Sequence, residues 1–258
     1  MIRRELSPGA YALIPSGFEQ DGFVAAFTER SGGVSTEPRF ASLNLSYSSG
    51  DDPRNVSRNR SLLMEQMEIS PFAVGGQVHG ATLALVGPEE AGSGFEGPSD
   101  VIPATDGLHS TSSRVALAVA TADCAPVILE SAREGRLAVV HAGWRGIAAG
   151  IIETAVSMFA DAATVRAAIG PCAGPCCYEV GEDVLDAITA GTEAGPVARR
   201  GPGRIFLDIP ATIEGGLREI GVRDIEASGL CTIDLSDRFF SHRRDGPCGR
   251  QLAIGMRL

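Results

Sequence analysis

Cys124 and two of the four histidines, His79 and His141, stand where a chain most readily presents chemistry. Each follows a short apolar run beside Gly, Pro or Asp, in GGQVHG, TADCAPV and AVVHAGWRG. Loops at strand ends are where a rigid scaffold displays reactive groups. Two imidazoles and one thiolate would make a three-ligand zinc set with a fourth position open to water or substrate. Their separations match no compact zinc-finger spacing, so on the residues alone core and hydrogen-bonding roles stay open. Asp123 could shuttle a proton or orient a ligand; equally, it could cap a turn before Pro126. In HAGWRG, Gly143 and Gly146 allow close backbone approach, and Arg145 can fork onto an anion or stack on Trp144, the only tryptophan. The bland alternative is a tight strand-to-helix turn with Trp144 packed beneath it.

Other candidates are weaker. Gly92, Gly94 and Gly97 form a G-x-G-x-x-G, but Pro98 follows and no helical pattern does, so the pattern reads as a loop rather than a dinucleotide site. Cys172 and Cys176 have C-x-x-x-C spacing, not the P-C-x-x-C of zinc deaminases, and no H-x-E precedes them. With Cys177 they are expected to pack around a tight turn or serve a minor redox role. His109 is expected to face solvent. His242 is read as structural or as lining a site with Arg243.

All 22 basic residues are arginine, against 32 acids, for a formal charge of −10. Without lysine there is no Walker-type phosphate loop, no kinase lysine and no Schiff base. Chemistry is left to histidine, cysteine, carboxylates or a metal. The acidic balance argues against nucleic acid or a membrane surface as partner. No apolar run nears the ~20 residues of a membrane span, and no signal-like stretch follows Arg3 and Arg4. A cytoplasmic protein with reduced cysteines is expected.

The elements that must position these residues are short. Strand-like runs fall at 11–14, 22–28, 82–86, 115–121, 127–130, 137–141, 165–169 and 251–257. A helix is expected after Asp52 and Pro53, with Val56, Leu62, Leu63 and Met67 at roughly helical spacing; others are expected near 147–159, 182–189 and 211–220. Residues 87–106 and 191–204 read as Gly/Pro-rich surface loops or lids. The mixture lacks regular βαβ alternation, so the expectation is an α+β fold in one domain, residues 1–258.

Together RSGGVS, SLNLS, GDDP, QVHG, TADCAPV, HAGWRG, IGPCAGPCCYEVG and the closing FFSHRRDG and GRQLAIGMRL resemble, in order, the laccase-domain or YfiH-like family. Its members are named polyphenol oxidase, purine nucleoside phosphorylase and peptidoglycan editing factor. The resemblance covers nearly the whole chain, from about Phe27 to Leu258. It implies a layered sandwich of mixed β-sheets flanked by helices, similar to the catalytic domain of cytotoxic necrotizing factor. It also implies a metal site at His79, Cys124 and His141, with zinc preferred and copper as the other ion suited to His₂Cys.

The implied activity is phosphorolysis of adenosine, inosine or methylthioadenosine, with adenosine deamination beside it. The partners would be a purine nucleoside and phosphate, and the chain a monomer or weak homo-oligomer. With lysine absent, phosphate would be held by Arg60, Arg145 and Arg250 with backbone N–H groups. Asn44 and Gln77 could read hydroxyls or a base edge. Cys124, His79, His141 and Asp123 would form the catalytic centre. A copper polyphenol oxidase is disfavoured, because four histidines cannot furnish both a mononuclear and a trinuclear copper site. The rivals are a hydrolase or amidase acting on peptidoglycan precursors, with Cys124 as nucleophile and His141 or His79 as base, and a zinc-stabilised protein that binds a nucleotide-linked metabolite.

Overall fold

In the computed structural model, which describes residues 1–258, side-chain alternation along the strands sets the architecture. On the strand Ala125–Ser131, Ala125, Val127 and Leu129 join a core shared with helices, while Ile128 joins a second core on the opposite face. On Arg136–Ala142 the split repeats, with Ala138, Val140 and Ala142 on one side and Leu137 and Val139 on the other. On Gln251–Arg257, Ala253 enters that second core, whereas Leu252, Ile254 and Met256 enter a third, with Leu63. A strand apolar on both faces must be covered on both. The outcome is four layers: helices, sheet, sheet, helix.

The first sheet runs Ile2–Ser7, Ala10–Ile14, Phe23–Thr28, Gln251–Arg257, Ala116–Thr121, Phe72–Val74, with only the last pair parallel. The second runs Asp224–Ala227, Arg166–Ile169, Ala125–Ser131, Arg136–Ala142, Gly107–Ser110, Leu83–Leu85, with both edge strands parallel to their neighbours. Phe23, Phe27 and Phe239, all buried, fill the space between the sheets. Each such ring contributes about 1.5–3 kcal/mol by burial. These mixed sheets and helices agree with the α+β expectation. The loop expected at 191–204 instead contains Ala198–Gly201, paired with Arg204–Leu207 in a small three-stranded sheet.

Helix α1 (Pro53–Met67) starts where the sequence indicates. Asp52 accepts from the Arg54 N–H at 2.9 Å, and Pro53 occupies the first turn. Its buried face is Val56, Asn59, Arg60 and Leu63, an i, i+3, i+4, i+7 stripe holding two polar residues. Both are hydrogen-bonded inside: the Asn59 amide, for example, donates to Ser35, Ser42 and Asn44 and ties down the segment that precedes the helix.

The helix expected at 147–159 is two helices, α2 (Trp144–Ala148) and α3 (Ile151–Ser157), separated by Gly150 at φ +80°. The break frees α2 to turn toward the site while α3 lies in the core. Helices α4 (Glu182–Gly191) and α5 (Ile209–Ile220) complete the covering layer, and α6 (His242–Asp245) is a single turn. No helix is long and apolar enough to cross a membrane. Since only glycine adopts left-handed backbone without strain, Gly150→Ala should lower stability by about 1 kcal/mol, read from the urea midpoint. An unchanged midpoint would mean that the break is not imposed by this residue.

Candidate metal centre and the pocket around it

The site lies where the chain crosses between the two sheets. Residues 75–82 leave Phe72–Val74 in the first sheet and enter Leu83–Leu85 in the second, carrying His79. Residues 122–124 connect Ala116–Thr121 in the first sheet to Ala125–Ser131 in the second, carrying Cys124. His141 sits on the adjacent strand, opposite Pro126. Asp106 immediately precedes Gly107–Ser110, whose Gly107 pairs with Val140, so the ladder sets Asp106 beside His141.

One ligand atom each from His79, Cys124 and His141 can be drawn from a set lying within 4.8 Å of one another. The two imidazole rings meet edge-to-face at 4.9 Å between centroids. His141 is buried and His79 is exposed, so the cluster has a closed side and an open one. His79 and Asp123 hold positive φ, +63° and +100°, a backbone conformation that non-glycine residues keep only where their surroundings impose it. Gly143 shows how crowded the closed side is: a Cβ there would lie 2.8 Å from Cys124 Sγ and 3.3 Å from a His79 ring carbon.

Asp106, which the sequence reading missed, organises the cluster. Fully buried, it accepts from the backbone N–H groups of Val78, His79 and Gly80 at 3.1, 2.9 and 2.8 Å. It also accepts from His141 Nδ1 at 2.9 Å, which leaves His141 Nε2 for a ligand. Burial opposes its charge, but His141 and these amides hold the carboxyl below the ordinary range. Burial likewise opposes a thiolate at Cys124, yet His141, then His79, bring that thiol down to about 6. Burial opposes an imidazolium at His141, yet the Cys124 thiolate and Asp106 lift it to about 9. Both shifts run in the direction that favours a thiolate–imidazolium pair in the metal-free centre. The donor set, its spacing and the carboxylate behind it fit a zinc ion with an open coordination position.

The centre forms one end of a cavity of about 650 Å³, within the range of small-molecule sites. Arg60, Arg145, Arg243 and Arg250 line it, and Asp123 is the one acid there. Asp123 accepts from the Thr232 hydroxyl on one oxygen and the Arg243 N–H on the other, both at 2.7 Å, so its carboxylate braces the wall. Arginine also backs each pocket aromatic: Arg60 on Tyr47, Arg145 on Trp144 and Arg243 on Tyr178, with guanidinium-to-ring distances of 4.6, 4.3 and 4.9 Å.

The remaining sequence candidates divide by what their polar atoms already do. Arg60 donates to the carbonyls of Leu45, Gly94 and Phe95, tying α1 to the 87–106 loop; burial lowers it to about 10, so it stays charged. Gln77 faces the pocket, but its amide donates to and accepts from the Ala120 backbone at 2.9 Å each way. Asn44 lies outside the pocket wall; its oxygen accepts from the Arg250 N–H at 3.0 Å and its nitrogen donates to Ser49 and Asp51. Arg250 spends one nitrogen on the Cys248 and Gly249 carbonyls; the Arg145 backbone carbonyl accepts from Ala149 N–H at 2.9 Å, while its guanidinium makes no hydrogen bond. The 87–106 loop is a wall of the cavity through Gly94, Gly97, Pro98 and Val101. His109, expected in solvent, is buried on a strand with Nδ1 3.1 Å from Arg136. His242 and Arg243 both line the pocket.

A family profile described as multi-copper polyphenol oxidoreductase laccase matches residues 24–257. The chain is 37% identical over 250 residues to a Geobacillus stearothermophilus protein named purine nucleoside phosphorylase YlmD, covering 92% of this chain and 91% of that one. Over 246 residues it is 35% identical to Escherichia coli purine nucleoside phosphorylase YfiH, covering 94% and 97%. The crystal structure of YlmD from Geobacillus stearothermophilus superposes with a TM-score of 0.93 at 33% identity, over 99% of this chain and 98% of that one.

Two outcomes follow from this centre. Asp106→Asn turns an amide N–H₂ against donors that need an acceptor, and should weaken zinc about 10- to 100-fold in chelator competition while the chain stays folded. Zinc must also displace the His141 proton. Its affinity should therefore rise close to tenfold per pH unit between about 6 and 9, because proton competition fades as pH approaches the imidazolium value. A flat profile across that window would rule out the ion pair.

Proposed function

The chain belongs to the family described as multi-copper polyphenol oxidoreductase laccase, and from that premise we propose that it is a zinc-dependent purine nucleoside phosphorylase. The observation that carries this reading is the pocket's composition: a His₂Cys centre at one end, four arginines and three aromatic rings along the walls, and one acid already engaged. Phosphorolysis needs an anion held against the ribose C1′ while a purine leaves through a transition state with oxocarbenium character. The Arg145 guanidinium, which has no hydrogen-bond partner within the chain, and the free nitrogens of Arg250 and Arg60 are the phosphate clamp; Arg243 extends the positive wall. Trp144 and Tyr178 offer faces for the base. Burial raises the Tyr178 phenol, so it stays a neutral hydroxyl that can donate to a ring nitrogen.

His79, Cys124 and His141 would hold zinc, which would supply Lewis acidity at that end of the pocket. Adenosine, inosine and methylthioadenosine are the proposed substrates, with adenosine deamination as a side reaction and the cytoplasm as the site of action. The copper-oxidase activity in the family's description does not suit these residues. Of four histidines, only His79 and His141 fall in a cluster of ligand atoms, too few for a mononuclear and a trinuclear copper site together.

One observation favours a second reading. Cys124, His141 and Asp106 form a thiolate, an imidazolium and an orienting carboxylate in series, the arrangement of a nucleophilic cysteine hydrolase. That enzyme would work without metal as an amidase on peptidoglycan precursors.

The separating experiment incubates the purified chain with adenosine or inosine, with and without phosphate, and follows the products by chromatography. Ribose-1-phosphate formed only with phosphate supports phosphorolysis; no turnover of any purine nucleoside overturns it. Metal-poor protein whose Cys124 reacts rapidly with iodoacetamide supports the hydrolase. Within the first reading, Arg145→Ala should raise the KM for phosphate about 10- to 100-fold, the loss of one or two charge-assisted hydrogen bonds. An unchanged phosphate KM would remove Arg145 from the clamp.

A further inference from the structure

Behind the pocket wall lie three sulfurs that phosphorolysis does not use. The Sγ atoms of Cys176, Cys177 and Cys231 fall within 4.8 Å of one another. Cys177 Sγ donates to Cys176 Sγ at 3.1 Å, and the Gly174 N–H donates to Cys231 Sγ at 3.3 Å. The backbone brings them together. A turn closes from Tyr178 N–H to the Gly174 carbonyl at 2.9 Å, and the backbones of Cys231 and Cys172 pair in an isolated parallel β-bridge. All three are free thiols: Cys231 is buried, Cys177 half-buried and Cys176 exposed, so the triad is closed behind and open to solvent in front. Gly174 leaves room over the sulfurs, since a Cβ there would fill the space 3.6 Å from Cys231 Sγ and 3.8 Å from Cys176 Sγ.

We propose that Cys176, Cys177 and Cys231 form a second metal site, separate from His79, Cys124 and His141, that takes a thiophilic d¹⁰ cation on three thiolates. The donor set selects the ion: all-sulfur ligation without imidazole or carboxylate suits copper(I) or zinc and disfavours harder cations. The open side gives the ion its entry path. Burial, then the neighbouring thiols, push the Cys176 thiol up, so its ligation to a metal releases a proton to solvent. The site also touches the pocket's supports. Thr232, next to Cys231, donates its hydroxyl to Asp123, and Tyr178, next to Cys177, lines the cavity.

The test titrates the full, reduced chain separately with copper(I) and with zinc against competing chelators, recording stoichiometry and proton release. Wild type should take two equivalents of at least one of these ions. Cys176→Ser, at an exposed position, should lose one equivalent, or weaken it more than 100-fold, with circular dichroism and nucleoside turnover unchanged. His79→Ala should lose the other equivalent and keep the one that depends on Cys176. The two arms identify the ion. The proposal is overturned if wild type takes a single equivalent of both ions, or if a Cys176→Ser, Cys177→Ser double variant keeps both. Stoichiometry is read without substrate, so failure here and failure of the phosphorylase reading are distinct results.

Discussion

One buried carboxylate holds the centre in place. Asp106 is removed from solvent, which would strongly disfavour its charge if it stood alone. Four N–H groups converge on its two oxygens, three from the backbone of the His79 loop and one from the His141 ring. The same contacts that keep it ionised fix both imidazole-bearing segments, one from a sheet-to-sheet crossing and one from a strand of the second sheet. They also decide which ring nitrogen of His141 is free. The left-handed backbone at His79 is then a consequence, since its N–H must point at the carboxylate.

A second constraint is electrostatic. The chain carries a formal charge of −10, yet four guanidiniums line one cavity whose single acid already accepts two hydrogen bonds. An overall acidic surface with a positive cleft favours a small anion over a polyanion, because long-range repulsion acts on a large partner and the cleft field on a small one. The absence of lysine sharpens the same point. A guanidinium is planar and can stack, and Arg60, Arg145 and Arg243 back aromatic rings, so three of the four are held in place before any ligand arrives.

Much of the scaffold was legible because it obeys local rules. Residues 115–121, 127–130, 137–141 and 251–257 read as strands by short, apolar, β-branched runs, and Asp52 with Pro53 marked a helix start by capping chemistry. The split at Gly150 was missed because apolar spacing continues across it while the backbone does not. Asp106 was invisible for a deeper reason. Asp106 closes the Gly/Pro-rich run 87–106 that reads as a surface loop, and the partners that give its carboxylate meaning lie 26 to 35 residues away. His109 was misplaced because its polar neighbours mask a strand set by pairing with Arg136–Ala142. Cys231 offered no motif at all; the backbone bridge to Cys172 brings it to Cys176 and Cys177.

The ambiguity between metal centre and nucleophile has a physical source in the same atoms. A cysteine hydrolase needs a proton on His141 to keep Cys124 ionised, whereas a His₂Cys metal site needs that proton gone. Metal and proton thus compete for one imidazole nitrogen, and Asp106 serves both states, orienting a neutral ring toward a metal or stabilising a charged one beside a thiolate. What separates the functions lies outside this triad. A phosphorylase needs an anion site, and four arginines line the cavity beside Cys124, a lining that peptide-bond hydrolysis by itself does not call for. The chemistry of the pocket as a whole therefore weighs toward phosphate, even though the three residues at its end would serve either enzyme.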